Sequence, residues 1–136
     1  MCLDRLKKFK TNGYGYKVIE EKSLSDARKK VYIKHSLFKG SGYILYKKYR
    51  WNIDKSKQTI IITEPYELKE IGKYRTGFHL FVKKIDAEKW IKNYLLKLLI
   101  KKVQYKDVVA TGYQDGFKIV VVRKFKFVSE KGDQND

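Results

Sequence analysis

The sequence predicts an α+β fold: a strongly bent antiparallel sheet of about five to seven strands, a half-open barrel or roll, packed on one principal amphipathic helix. Three observations lead there. From Ala87 onward, the apolar residues Ala87, Trp90, Ile91, Tyr94, Leu95, Leu98 and Leu99 recur at helical spacing and form one stripe. Segments on both sides of the stripe alternate apolar and polar residues with the period of two that a half-buried strand requires. Glycines and an Asp115-Gly116 pair punctuate those segments as turns do.

In chain order, residues 1–10 fit one or two helical turns, with Leu3, Leu6 and Phe9 on one side. Residues 11–15, containing Asn12-Gly13, read as a turn, because glycine tolerates positive φ. A strand is expected over 16–21, a loop over 23–28, and a strand over 31–38 with Val31, Ile33, His35 and Leu37 on one face. Residues 43–51 are the most basic and aromatic stretch and are expected to be extended. A charged connection (52–58) leads to the β-branched strand 59–63, and Pro65 then opens a loop over 66–75.

A strand over 77–82 should feed the helix, with Asp86 as its N-cap and Lys97, Lys101 and Lys102 near its end. Two strands, 102–111 and 117–128, should form a hairpin through residues 112–116. In the second, Phe125 and Phe127 face one way and Lys124 and Lys126 the other. The expected organisation is a single domain over 1–128 with a polar tail, 129–136.

Composition narrows the function classes. At 136 residues and 43% hydrophobic content, the chain can bury a real core. There is no run of about 18 apolar residues, so no membrane partner is expected. Cys2 is the sole cysteine, which excludes an internal disulfide and fits a reducing setting, the cytoplasm of a host cell. Lysine and arginine number 32 against 15 acids, a net charge of +17. That excess repels itself in a compact fold and favours anionic partners.

The basic-aromatic stretch is the leading binding candidate. Lys47, Lys48 and Arg50 can meet phosphates and Tyr46, Tyr49 or Trp51 can stack on bases, with Lys124 and Lys126 extending the face on a neighbouring strand. The competing reading of the same residues is aromatics in the core and lysines in solvent, and for Tyr43 and Trp51 the core is the better expectation. His79 and Phe81, on one face of a strand, are a candidate ligand pocket. A histidine there can act as a base, but no partner for catalysis is evident, and a structural histidine is the better expectation. Two histidines and one cysteine do not make a zinc site, no Gly-x-Ser-x-Gly elbow is present, and no cofactor is expected.

Gly77-Phe78-His79-Leu80-Phe81, followed by Asp86-Ala87-Glu88-Lys89-Trp90 and then Val108-Val109-Ala110-Thr111-Gly112, resembles a loose group of uncharacterised phage and large-DNA-virus domains. In these, a Gly-Phe/Ile-His-x-Phe strand runs into a helix. The resemblance covers roughly the second half of the chain. It implies a viral or prophage origin and a compact α+β unit, and it carries no reaction with it.

The expected function is a non-enzymatic accessory protein that binds a polyanion, DNA or RNA first. The alternatives are a counter-defence protein, which sequesters a phosphorylated nucleotide signal or docks on a host defence complex such as a nuclease, and a small enzyme using His79.

Overall fold

The structure is a computed structural model and describes residues 3–22, 31–33, 45–46, 50–64, 66–67, 69–93 and 98–128. The order of elements is β1 (Arg5–Leu6), β2 (Tyr14–Lys22), β3 (Val31–Ile33), β4 (Leu45–Tyr46), β5 (Asn52–Ile53), β6 (Thr59–Thr63), β7 (Glu70–Arg75), β8 (Phe78–Phe81), α1 (Lys84–Ile91), β9 (Leu99–Gln114) and β10 (Phe117–Phe127). The protein is mostly antiparallel sheet with one short helix among the described residues.

Strands β9 and β10 form the spine. Gln114 pairs with Phe117, leaving Asp115 and Gly116 as a two-residue loop. Both have positive φ, 51° and 84°, the backbone that a tight hairpin with right-handed twist demands and that Asp-Gly supplies at little strain. The N-terminal part of β9 pairs with β2, and β10 pairs with β8 on its other edge. Strand β2 then meets β8 at the pair Tyr16 and Phe81, so the sheet bends back on itself. A register shift opposite Val121 and Val122, with Asp107 at φ 60°, kinks β9 midway. Strand β1 joins the far end of β9, with Leu6 opposite Gly112. A Cβ at Gly112 would run into the Arg5 carbonyl oxygen, so only glycine lets the two backbones come this close.

Around β8 and the middle of β10 the bent sheet is packed on both faces. One cluster joins Tyr46, Phe78, Leu80, Val103, Tyr105, Val120, Val122, Phe125 and Phe127. Its aromatic rings meet edge to face, with centroids 4.8 Å apart for Phe78–Phe125 and 5.1 Å for Tyr46–Phe125. The other cluster joins Leu3, Ile62, Tyr74, Phe81, Ala87, Trp90, Leu98, Ile119 and Val121, and is capped by α1 and the β6–β7 hairpin. Strand β8 lies between the two. Phe78 and Leu80 face the first cluster while Phe81 faces the second, so the expected alternation holds but both sides are dry.

Several expectations are corrected. The helix is eight residues long and not a principal element: it ends at Ile91, and Leu99 and Ile100 belong to β9, where they pair with Ile19 and Val18. Backbone pairing with β2 takes Leu99 and Ile100 into the sheet, where both are half-buried. Asp86 is not the N-cap; Lys83 holds that position without a side-chain cap, and Asp86 sits in the first turn, where its charge still suits the helix dipole. Residues 70–75, expected in a loop, form β7 and pair with β6. Residues 1–10 contribute a short strand at Arg5–Leu6 rather than helix. Part of the 52–58 connection, Asn52–Ile53, is a strand on β10. Most of the 31–38 strand, His35 and the 129–136 tail lie outside the described residues.

Tyr46 is 1% exposed, and its hydroxyl is buried with no hydrogen-bond partner among the described residues. Burial, with the Asp54 carboxylate adding to it, holds that hydroxyl well above the ordinary phenol range, so it stays neutral. An unsatisfied buried hydroxyl is a net loss. Tyr46→Phe is therefore expected to raise stability by about 1 kcal/mol, read from the urea midpoint; a loss of stability would show that the hydroxyl is satisfied.

Candidate functional site

The outer face of the spine follows from strand period. In β9, Val103 and Tyr105 turn into the core, so Lys102, Gln104 and Lys106 turn out. In β10, Phe125 and Phe127 turn in, so Lys124 and Lys126 turn out, as expected. Antiparallel register places Lys124 opposite Lys106, Lys126 opposite Gln104, and Tyr14 of β2 on the far side of Gln104. On the other edge of β10, β5 sets Ile53 opposite Lys124 and Asn52 opposite Phe125. Asn52 is buried and anchors that strand, its Nδ2 donating to the Phe125 carbonyl at 3.5 Å. Four strands thus contribute to one face about 14 Å wide, three spacings of roughly 4.8 Å.

Trp51, next to Asn52, is carried across this face. The Lys106 Nζ lies 4.2 Å from the centre of the indole and the Lys126 Nζ 5.8 Å away. The Lys102 Nζ lies 5.3 Å from the Tyr14 ring. These are cation–π contacts that hold ammonium groups beside partly exposed aromatic surface. Arg50, beside Trp51, is exposed. Among the described residues the face carries one paired carboxylate, Asp107, 3.3 Å from the Lys124 Nζ. Like charges directly across a strand pair, as at Lys106 and Lys124, destabilise a sheet unless an anion sits near them. The arrangement can meet phosphates with its cations and a flat ring with Trp51 or Tyr14.

Among the residues expected at a binding face, Lys124 and Lys126 come together here, and Arg50 is exposed beside Trp51 in the chain. Lys47, Lys48 and Tyr49 lie outside the described residues. Tyr46 is not on the face; it is core, because β4 turns its ring onto Phe78 and Phe125. Lys102, Lys106 and Tyr14 complete the face, and Trp51, expected in the core, is half-buried on it under Lys106 and Lys126. The signal for Lys102 and Lys106 was present in the Lys102-Val103-Gln104-Tyr105-Lys106 alternation.

His79 and Phe81 are both buried, 8% and 1% exposed. Phe81 packs on Trp90 and Phe117. The His79 Nε2 is 3.0 Å from the Tyr74 hydroxyl, and its Nδ1 is 3.1 Å from the Gly77 carbonyl. The Leu3 N–H donates to that same hydroxyl at 3.0 Å. The network is consistent if Nδ1–H donates to Gly77, so that Nε2 accepts from Tyr74 and Tyr74 accepts from Leu3. Buried Lys17 donates to the His79 carbonyl at 3.1 Å. The histidine ties the chain start, β7 and β8 together. We expect His79→Gln and Tyr74→Phe each to lower stability by about 1–3 kcal/mol and to leave polyanion binding unchanged. A folded His79→Gln protein that binds nothing would contradict the structural role.

Among the described residues, no group of three or more His, Cys, Asp or Glu gathers as metal ligands, and no helix is long and apolar enough to cross a membrane. Fold and face together define a basic, mostly antiparallel β protein with a cation-aromatic outer surface. Comparison with protein-family models, curated proteins and solved structures finds no match.

Proposed function

We propose that this is a non-enzymatic accessory protein, of viral or prophage origin as the resemblance of its second half implies, that binds nucleic acid through the outer face of β9 and β10. The observation that carries this reading is the gathering of lysines on that face around the ring of Trp51, with Asp107 the one carboxylate paired to them among the described residues. The net charge of +17 supports an anionic partner, and accessible rings among cations favour a single strand, whose bases are free to stack. The internal hydrogen bonds of both His79 ring nitrogens support a structural rather than a catalytic histidine.

The test is binding of labelled single- and double-stranded oligonucleotides by fluorescence anisotropy across a salt series. With about five phosphate contacts, from Arg50 and the lysines at 102, 106, 124 and 126, affinity should fall by roughly 10²–10³ between about 50 and 200 mM salt, with little dependence on sequence. The chain has two tryptophans, and Trp90 is buried, so a change in tryptophan emission on binding reports Trp51. No binding to DNA or RNA at low salt would end this reading.

A further inference from the structure

A second basic feature lies beyond the kink in β9. A groove of about 310 Å³ is lined by Leu6, Lys7 and Lys8 after β1, Lys73 and Tyr74 of β7, and Val109, Ala110 and Thr111 of β9. Its walls are well placed. The Lys7 N–H donates to the Thr111 carbonyl at 3.0 Å, and the Thr111 hydroxyl donates to the Lys7 carbonyl at 2.6 Å, which pins the chain after β1 against β9. The β7 wall is held because the Tyr74 hydroxyl is turned away to Leu3 and His79, leaving its ring to the groove.

The chemistry of the lining is divided. Leu6, Val109, Ala110 and the Tyr74 ring make an apolar floor. Lys7, Lys8 and Lys73 are exposed at the rim, and among the described residues no carboxylate pairs with them or lines the groove. Three uncompensated ammonium groups over an apolar floor complement a ligand with a flat ring at one end and several negative charges at the other. The volume is at the lower end of small-molecule sites, enough for a mononucleotide and too small for a strand.

We propose that this groove binds a free nucleoside triphosphate or diphosphate, the base on Leu6, Val109 and Ala110 and the phosphates on Lys7, Lys8 and Lys73. The site is separate from the outer face: Ala110 is four residues along β9 from Lys106, beyond the kink at Asp107.

Calorimetric titration with ATP, AMP, inorganic tripolyphosphate and a 5′-phosphorylated oligonucleotide tests this on the full chain. ATP should saturate one site. AMP, with fewer charges, and tripolyphosphate, with no ring, should each bind at least about tenfold more weakly. The double change Lys7→Ala, Lys73→Ala, on exposed positions, should weaken ATP at least about tenfold, yet leave oligonucleotide binding by the outer face within about twofold. Ala110→Trp fills the groove without altering charge and should block ATP as well; if it does not fold, Lys7→Glu with Lys73→Glu replaces it.

Tripolyphosphate binding as tightly as ATP would reduce the groove to bare charge attraction and overturn the proposal. So would ATP binding unaffected by the Lys7 and Lys73 changes, or binding of the oligonucleotide only. Because oligonucleotide binding is read on the same protein, failure here is distinct from failure of the outer face.

Discussion

Trp90→Ala should lower the stability of the protein by about 3–5 kcal/mol, the usual result of emptying a large buried aromatic site. Trp90 is 7% exposed, and its ring lies 5.7 Å from Phe81, the residue through which β8 enters the second core cluster. Removing it takes away the main side chain by which α1 caps that face; Ala87, the other buried residue of the helix, is too small to compensate. A domain of this size has a total stability of roughly 5–15 kcal/mol, so the loss is a large share. Lys92→Ala and Ile85→Ala, at exposed positions, should each change stability by less than about 0.5 kcal/mol. Urea unfolding of the three variants settles it. A harmless Trp90→Ala would mean that the helix does not hold the sheet.

The second large effect is on binding. Lys106→Ala, Lys124→Ala and Lys126→Ala together should reduce the salt slope for oligonucleotide binding by roughly two to three and weaken affinity at about 50 mM salt by roughly two to three orders of magnitude, since each lysine neutralises about one phosphate. Stability should stay within about 1 kcal/mol of the parent, because the Lys106–Lys124 repulsion is relieved as the partly exposed Lys124–Asp107 pair is lost. Trp51→Ala separates stacking from charge: it should cost about 1–3 kcal/mol of binding on single strands and little on duplex. Unaltered affinity in the triple variant would remove the face from consideration, whatever the total charge of the protein does.

Several features of the face are legible in the sequence itself. Lys124 and Lys126 alternate with Phe125 and Phe127, and strand period alone turns the lysines out. Trp51 and Arg50 stand out as part of a basic-aromatic run. The pairing is not legible. Register decides that Lys106 stands opposite Lys124 and that Tyr14 flanks Gln104, and register is set by turns and core packing far apart in the chain. Tyr46 shows the same limit from the other side: with lysines at 47 and 48 it has the look of a binding aromatic, and only the Phe78 and Phe125 rings around it make it core.

Local chemistry determined the hairpin at Asp115-Gly116, the β-branched strand at Thr59–Thr63 and the entry of the chain into β8, because each rests on backbone preferences of a few adjacent residues. It also determined the net charge of +17. Tertiary structure decided the length of the helix and the identity of β7. The spacing from Ala87 to Leu99 is that of a helix, yet β2 offers a backbone to pair with, and Leu99 and Ile100 join β9. Glu70–Arg75 has little hydrophobic alternation of its own, and becomes a strand because β6 offers a backbone to pair with and Tyr74 finds His79 and Leu3 beneath it. Where the burial of a segment is fixed by residues remote in sequence, its own pattern underdetermines it, and both the groove and the outer face are built from such segments.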